Sequence, residues 1–263
     1  TIHGQIVNNG TLELRKVGWT EANGGINYYD YNCIDVNSGS ETAIVNTSTL
    51  TWRYHDKSYI TTGESPGTVT NDGTAPTIVN SGTMDVQKIA VINNGAGPVL
   101  SNTAGTARLA GSLTTAGNSE AVKVTGGEVK ITRVTSGASG ENSAAIVAAG
   151  GSVECVHENN SNTNAVLSAP NAETVIRVEA GSTFKFDAYN NIYDPDFGTG
   201  TKYTLVNNGG TVSMGGNHFV LKGVLLNKAG TMNLTKVQAT GNGQVVVDGG
   251  TLTVSGATAE EDL

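Results

Sequence analysis

The phrase VNNGGTVSM, residues 206–214, recurs along the whole chain. VNNGTLEL stands at 7–14, VNTSTLTW at 45–52, VNSGTMDV at 79–86 and VTGGEVKI at 124–131. VAAGGSVEC follows at 147–155, VEAGSTFKF at 178–186, LNKAGTMNL at 226–234 and VDGGTLTV at 247–254. Each copy is an apolar residue, a short polar or small turn, a Gly, Ser or Thr step, and an apolar–any–apolar strand. From Val124 the first apolar residues fall at intervals of 23, 31, 28, 20 and 21. Periods of this size mark a solenoid, and unequal intervals mark insertions of varied length between turns. No segment holds a helical period for three turns, which removes the helical repeats.

Inside each copy the period is two. Val212 and Met214 point one way while Thr211 and Ser213 point the other. Leu12/Leu14, Met84/Val86, Val129/Ile131, Phe184/Phe186, Met232/Leu234 and Leu252/Val254 repeat the pattern. Short strands with one apolar face bury nothing alone and make a continuous core when stacked. The fold class is therefore all-β: a single-stranded right-handed parallel β-helix with inserted loops. It should form one domain over 1–263 in about ten or eleven rungs, with 1–60 as an irregular, aromatic-rich region or N-terminal cap. The Asn after the first apolar residue (Asn8, Asn46, Asn80, Asn207, Asn227) is read first as a tight-turn residue. An amide ladder along the axis is the alternative.

Composition sharpens this. The chain has 35 Gly, only 14% charged and 5% aromatic residues, so Val, Ile, Leu and Ala must make the core. A net charge of -8 argues against a nucleic-acid partner. No apolar run approaches the ~20 residues that cross a bilayer, so this chain should not insert into a membrane. The first residue is Thr, and the sequence reads as a piece of something larger. Cys33 and Cys155 should sit about five rungs apart, too far for a disulfide, with Cys155 facing the core.

The units NNGTLEL, NSGTMDV, NNGGTVSM, KAGTMNL, DGGTLTV and IRVEAGSTFKF resemble the β-helix of autotransporter passenger domains, pertactin-like and AIDA-like surface adhesins. The resemblance implies a secreted or outer-membrane-anchored protein of a Gram-negative bacterium. Its partners would be host-surface glycans or matrix proteins, and it implies no cofactor. Self-association along the Asn-, Thr- and Ser-rich flanks is a further expectation.

Ten of the fourteen aromatics fall in three stretches that break the pattern. They hold Trp19, Tyr28, Tyr29 and Tyr31; then Trp52, Tyr54 and Tyr59; then Tyr189, Tyr193 and Phe197. Rings in polar loops stack on sugars and anchor protein partners. The last stretch, FDAYNNIYDPDFGTG, reads as a loop in which Tyr193, Asp194, Asp196 and Tyr189 bind ligand, with Trp19, Tyr28, Tyr29, Trp52 and Tyr54 as further binding residues. The alternative is that these rings only seal the coil. The Asp spacing matches no calcium-loop pattern, so no metal is assigned.

The runner-up function is a polysaccharide hydrolase or lyase, which needs acids on neighbouring rungs. Glu13, Asp85, Glu128, Glu154 and Glu179 stand on the rungs, and Glu128 and Glu154 fall in consecutive copies. The third reading is a stalk. No catalytic triad or metal-protease spacing is present, so the sequence favours a non-enzymatic adhesion module.

Overall fold

The computed structural model describes residues 1–15, 20–22, 25–27, 35–53, 67–87, 89–156, 166–193 and 202–256. These contain no helix. Twenty-three strands form one sheet wound as a coil and not closed into a barrel, with parallel pairing from rung to rung. The chain is a parallel β-helix with three strand columns, or sides. The rungs follow one another at about 4.8 Å along the axis.

The first side carries Ile6–Asn8, Ile44–Asn46, Ile78–Asn80, Leu100–Asn102 and Val122–Val124, which pair residue for residue. The same column continues through Ala148, Val178, Asn207, Asn227 and Val247, ten rungs among the described residues. Ile44, Ile78, Leu100, Val122, Ile146, Ile176, Leu205 and Leu225 point inward and are fully buried. The second side begins at Thr11, Thr49, Thr83, Thr106, Glu128, Ser152, Thr183, Thr211, Thr231 and Thr251. The third side stacks Val36, Val69, Val91, Leu113, Val134 and Leu167, all buried.

The alternation read from the sequence holds on the second side. Met84, Val86, Val129, Ile131, Phe184, Phe186, Val212, Met214, Met232 and Leu234 are buried, while Leu12, Leu14 and Leu252 are partly so. Val254, on the last described rung, is 55% exposed because no described rung covers it. Cys155 is a buried free thiol in the same inward column as Ile131 and Phe186.

Three expectations change. The copies at 124, 178 and 247 stand one residue out of phase with the others. Val124, Val178 and Val247 occupy the inward Asn position, while Val7, Val45 and Val79 face outward. A rung the motif does not reveal, Leu100–Asn102 followed by Thr106–Thr115, lies between the copies at 79 and 124. Ser101 stands there in place of the apolar key residue. Finally, within 1–60 the described strands Ile6–Asn8, Thr11–Arg15, Ile44–Asn46 and Thr49–Arg53 are regular rungs in register. These described strands begin the coil.

The asparagines form a ladder. Asn8 Nδ2 donates to Asn46 Oδ1, Asn46 Nδ2 to Asn80 Oδ1 and Asn80 Nδ2 to Asn102 Oδ1, each at 2.7 Å. The partners are 38, 34 and 22 residues apart in sequence. Where the run stops at Val124, Asn102 Nδ2 donates to the Gly126 carbonyl at 2.6 Å. A second ladder joins Asn207 Nδ2 to Asn227 Oδ1 at 2.8 Å. The turn role is also present, since Gly10 N donates to Asn8 Oδ1 at 3.3 Å and Gly210 N to Asn207 Oδ1 at 2.9 Å. Both readings are thus realised, and the ladder dominates because stacking removes these amides from water and each must find a partner. The corner beyond the Asn column is tight. A Cβ on Gly127, whose φ is +72°, would lie 2.1 Å from the Gly105 carbonyl one rung below.

Candidate functional site

The outer face of the second side collects the charge. Its middle outward column runs Glu13, Thr51, Asp85, Arg108, Lys130, Glu154, Lys185, Ser213, Asn233 and Thr253. Successive residues are one strand spacing apart, within reach of ion pairing. Lys130 Nζ lies 3.0 Å from Glu154 and 3.3 Å from Glu128, and Lys185 Nζ lies 3.2 Å from Glu154. Partial burial pushes the Glu154 carboxyl up, but hydrogen bonds from Lys130 and Lys185 outweigh it and hold the group below its ordinary value. Hydrogen bonds to Glu154 and Glu128 raise Lys130 in turn.

This arrangement bears on the hydrolase reading. A general acid at neutral pH needs a raised pKa. Glu154 is shifted the other way, and Glu128 and Glu154 grip one ammonium between them. Glu179, on another corner, is engaged by Arg177 at 2.9 Å. These acids behave as a charge zipper on a strand face. Among the described residues no group of three or more His, Cys, Asp or Glu could hold a metal ion.

A groove of about 640 Å³ lies on this face, lined by Thr83, Asp85, Thr106, Arg108, Glu128 and Lys130 with Val156 at one end. Its floor is backbone, because Met84 and Ala107 turn their side chains into the core. The volume falls within the ~300–1,000 Å³ of ligand clefts. Asp85 accepts from Gln87 Nε2 at 3.2 Å. Arg108 is half-buried and makes no hydrogen bond or ion pair among the described residues.

The second feature is the corner between the second and third sides. In the third rung it is crossed between Gln87 and Ala90 by two residues. In the first rung the chain leaves after Arg15 and next joins the third side at Val36; in the second it leaves after Arg53 and joins at Thr68. Arg15 pairs with Arg53 and Val36 with Val69, so these two insertions spring from adjacent positions on consecutive rungs. A third insertion leaves the same corner after Val156 and joins the third side at Val166. Within the first, Thr20–Ala22 and Gly25–Asn27 form an antiparallel hairpin separate from the coil sheet.

The binding residues expected from the sequence divide into three sets. Trp19, Tyr28, Tyr29, Tyr54, Asp194 and Asp196 lie outside the described residues. Tyr189 and Tyr193 belong to the strand Thr183–Tyr193, where Asp187 pairs with Gly215 and Tyr193 with Phe219. The first half of FDAYNNIYDPDFGTG is therefore rung, not loop, because the backbone finds ladder partners on the next turn. Trp52 is 3% exposed and sits in the inward column between Leu14 and Val86. Its ring is core and does not line a binding surface. The alternation TLTWR carried that signal, since Trp52 follows Leu50 at a spacing of two. Sequence reading missed Arg108, which lies on the rung that the motif did not reveal.

No protein-family model matches this chain, and no curated protein or solved structure matches it.

Proposed function

We propose that this chain is an extracellular adhesion module, a rigid coil that presents insertions from one corner to a host or cell-surface glycan or matrix protein. The observation that carries the reading is the shared corner. Two insertions, containing Trp19, Tyr28, Tyr29 and Tyr54, spring from the paired positions Arg15 and Arg53. The stems of two aromatic-containing insertions thus stand next to each other on the coil. Rings and polar groups together suit sugar or protein recognition. A stacked coil with a satisfied backbone holds such stems in fixed positions, which lowers the ordering cost of binding. The resemblance to autotransporter passengers supports the same reading and suggests a Gram-negative cell surface.

The test uses the tight corner that the protein already contains. Replacing 16–34 and 54–67 with the two-residue crossing of the third rung leaves the coil and removes both insertions. On an array of glycans and matrix proteins, the intact chain should bind at least one ligand that this variant does not, with unchanged circular dichroism. Equal binding by both proteins would sink the assignment to the insertions. Absence of any binding by the intact chain would favour the stalk.

A further inference from the structure

We propose that the groove on the second side binds an anionic sugar chain, with the carboxylate or sulfate of one sugar seated on Arg108. The site is separate from the insertions and rests on the reading of this chain as a surface-binding module. Arg108 stands in the outward column between Asp85 and Lys130. The neighbouring charges are engaged: Lys130 by Glu128 and Glu154, and Asp85 by the amide of Gln87. The guanidinium therefore remains the group in the groove whose donors are unspent among the described residues. It is half-buried on a strand of the rigid coil, so the fork is held in place and partly desolvated. A planar five-donor fork in that setting matches a carboxylate or sulfate in bidentate geometry.

The rest of the lining selects the class of ligand. Thr83 and Thr106 are exposed on either side of the rung boundary and offer hydroxyls as donors and acceptors. Glu128 accepts from sugar hydroxyls at the far wall. The apolar side chains beneath, Met84 and Ala107, are 1% and 2% exposed and give a ligand no apolar pocket. Protein and peptide partners anchor through buried aromatic or aliphatic contacts, and this floor provides none. A nucleic acid needs a track of cations along its phosphates, whereas among the described residues this groove has a single unengaged cation, on a chain of net charge -8. A sugar chain with an occasional acid and many hydroxyls fits both limits.

The test measures binding of the intact chain by calorimetry at low salt to three probes. These are a galacturonate hexasaccharide, a carrageenan oligosaccharide that carries sulfate without carboxylate, and cellohexaose. Binding to one or both acidic probes and not to cellohexaose is expected, and the stronger of the two identifies the anion. Arg108→Ala should weaken that binding about tenfold or more, the effect of losing a charge-assisted bidentate contact. Arg108→Lys should recover part of it. Asp85→Asn should tighten it roughly threefold by removing a like charge beside the anion. Arg108 faces outward, so its variants should keep the thermal midpoint. No binding of either acidic probe, or binding unchanged in Arg108→Ala, overturns the assignment. Array binding that disappears with the insertions, in a chain that binds neither acidic probe, would overturn the groove while leaving the adhesion reading standing. Loss of all array binding in the intact chain, with the acidic probes still bound, would do the reverse.

Discussion

Replacing Asn80 with Ala should be among the most damaging single changes of a polar residue in this protein. Asn80 is fully buried in the middle of the four-residue amide ladder. Its Nδ2 donates to Asn102 Oδ1 at 2.7 Å, to the Gly82 carbonyl at 3.1 Å and to the Thr106 carbonyl at 3.3 Å. Its Oδ1 accepts from Asn46 Nδ2 at 2.7 Å. Alanine removes all four contacts. Asn46 Nδ2 keeps the Ser48 and Thr83 carbonyls, so its loss is partial. Asn102 Oδ1 loses the ladder donor, and Gly82 and Thr106 lose side-chain donors. At ~1–3 kcal/mol for each buried group left unpaired, the cost is about 3–5 kcal/mol. For a chain of this size that lowers the thermal midpoint by roughly 10 °C. Asn8 is the internal control. It ends the ladder and is 6% exposed; its removal orphans Asn46 Oδ1 in the interior, while the Thr49 carbonyl and the Gly10 N–H that it also bonds belong to exposed residues within reach of water. Asn8→Ala should cost about 1–2 kcal/mol. The assay is urea unfolding followed by far-UV circular dichroism, with the slope compared across variants to confirm that the same unit unfolds. If Asn80→Ala costs no more than Asn8→Ala, the ladder is not a cooperative stabilising element and the reasoning fails.

Four further outcomes follow from the same structure. Val212→Asp places an unpaired charge at a fully buried position and should cost more than about 4 kcal/mol; an unchanged thermal midpoint would refute the inward assignment. Gly127→Ala combines a positive φ with a Cβ 2.1 Å from the Gly105 carbonyl and should cost roughly 3 kcal/mol, seen in the same urea series. Glu154 has a folded pKa below its ordinary 4.5, so its contribution is fully present above that value and is lost as pH falls through the folded value. Glu154→Gln should therefore be less stable than the parent near neutrality and converge with it in strong acid, and parallel pH–stability curves would contradict this. Burial pushes the Cys155 thiol far above its ordinary range, so iodoacetamide followed by mass spectrometry should leave it unmodified until urea unfolds the coil.

The sequence alone determined the kind of fold, because alternation of apolar and polar residues is a local property that survives any arrangement of neighbours. Leu50/Trp52, Met84/Val86 and Val212/Met214 announce strands with one buried face wherever the next rung lies. Recurrence of such strands with small residues between them leaves stacking as the way to cover that face. Tertiary structure decided everything that depends on which residue of one rung meets which residue of the next. Val124 and Asn80 share a column although their local phrases place them at different steps, because the corner from Val124 to Glu128 has one residue more than the corner from Asn80 to Thr83. Asn46 and Asn80 are bonded across 34 residues, a distance on which local propensity is silent, so a turn role was as legible as a ladder. Trp52 was legible as a ring in an aromatic stretch, yet its place in the alternation sent it into the core. Arg108 was hidden because Ser101 broke the phrase, and its importance comes from neighbours on other rungs that take up the opposing charges. Local pattern decides which way a side chain points; the length of the insertions, and hence the register, decides what it meets.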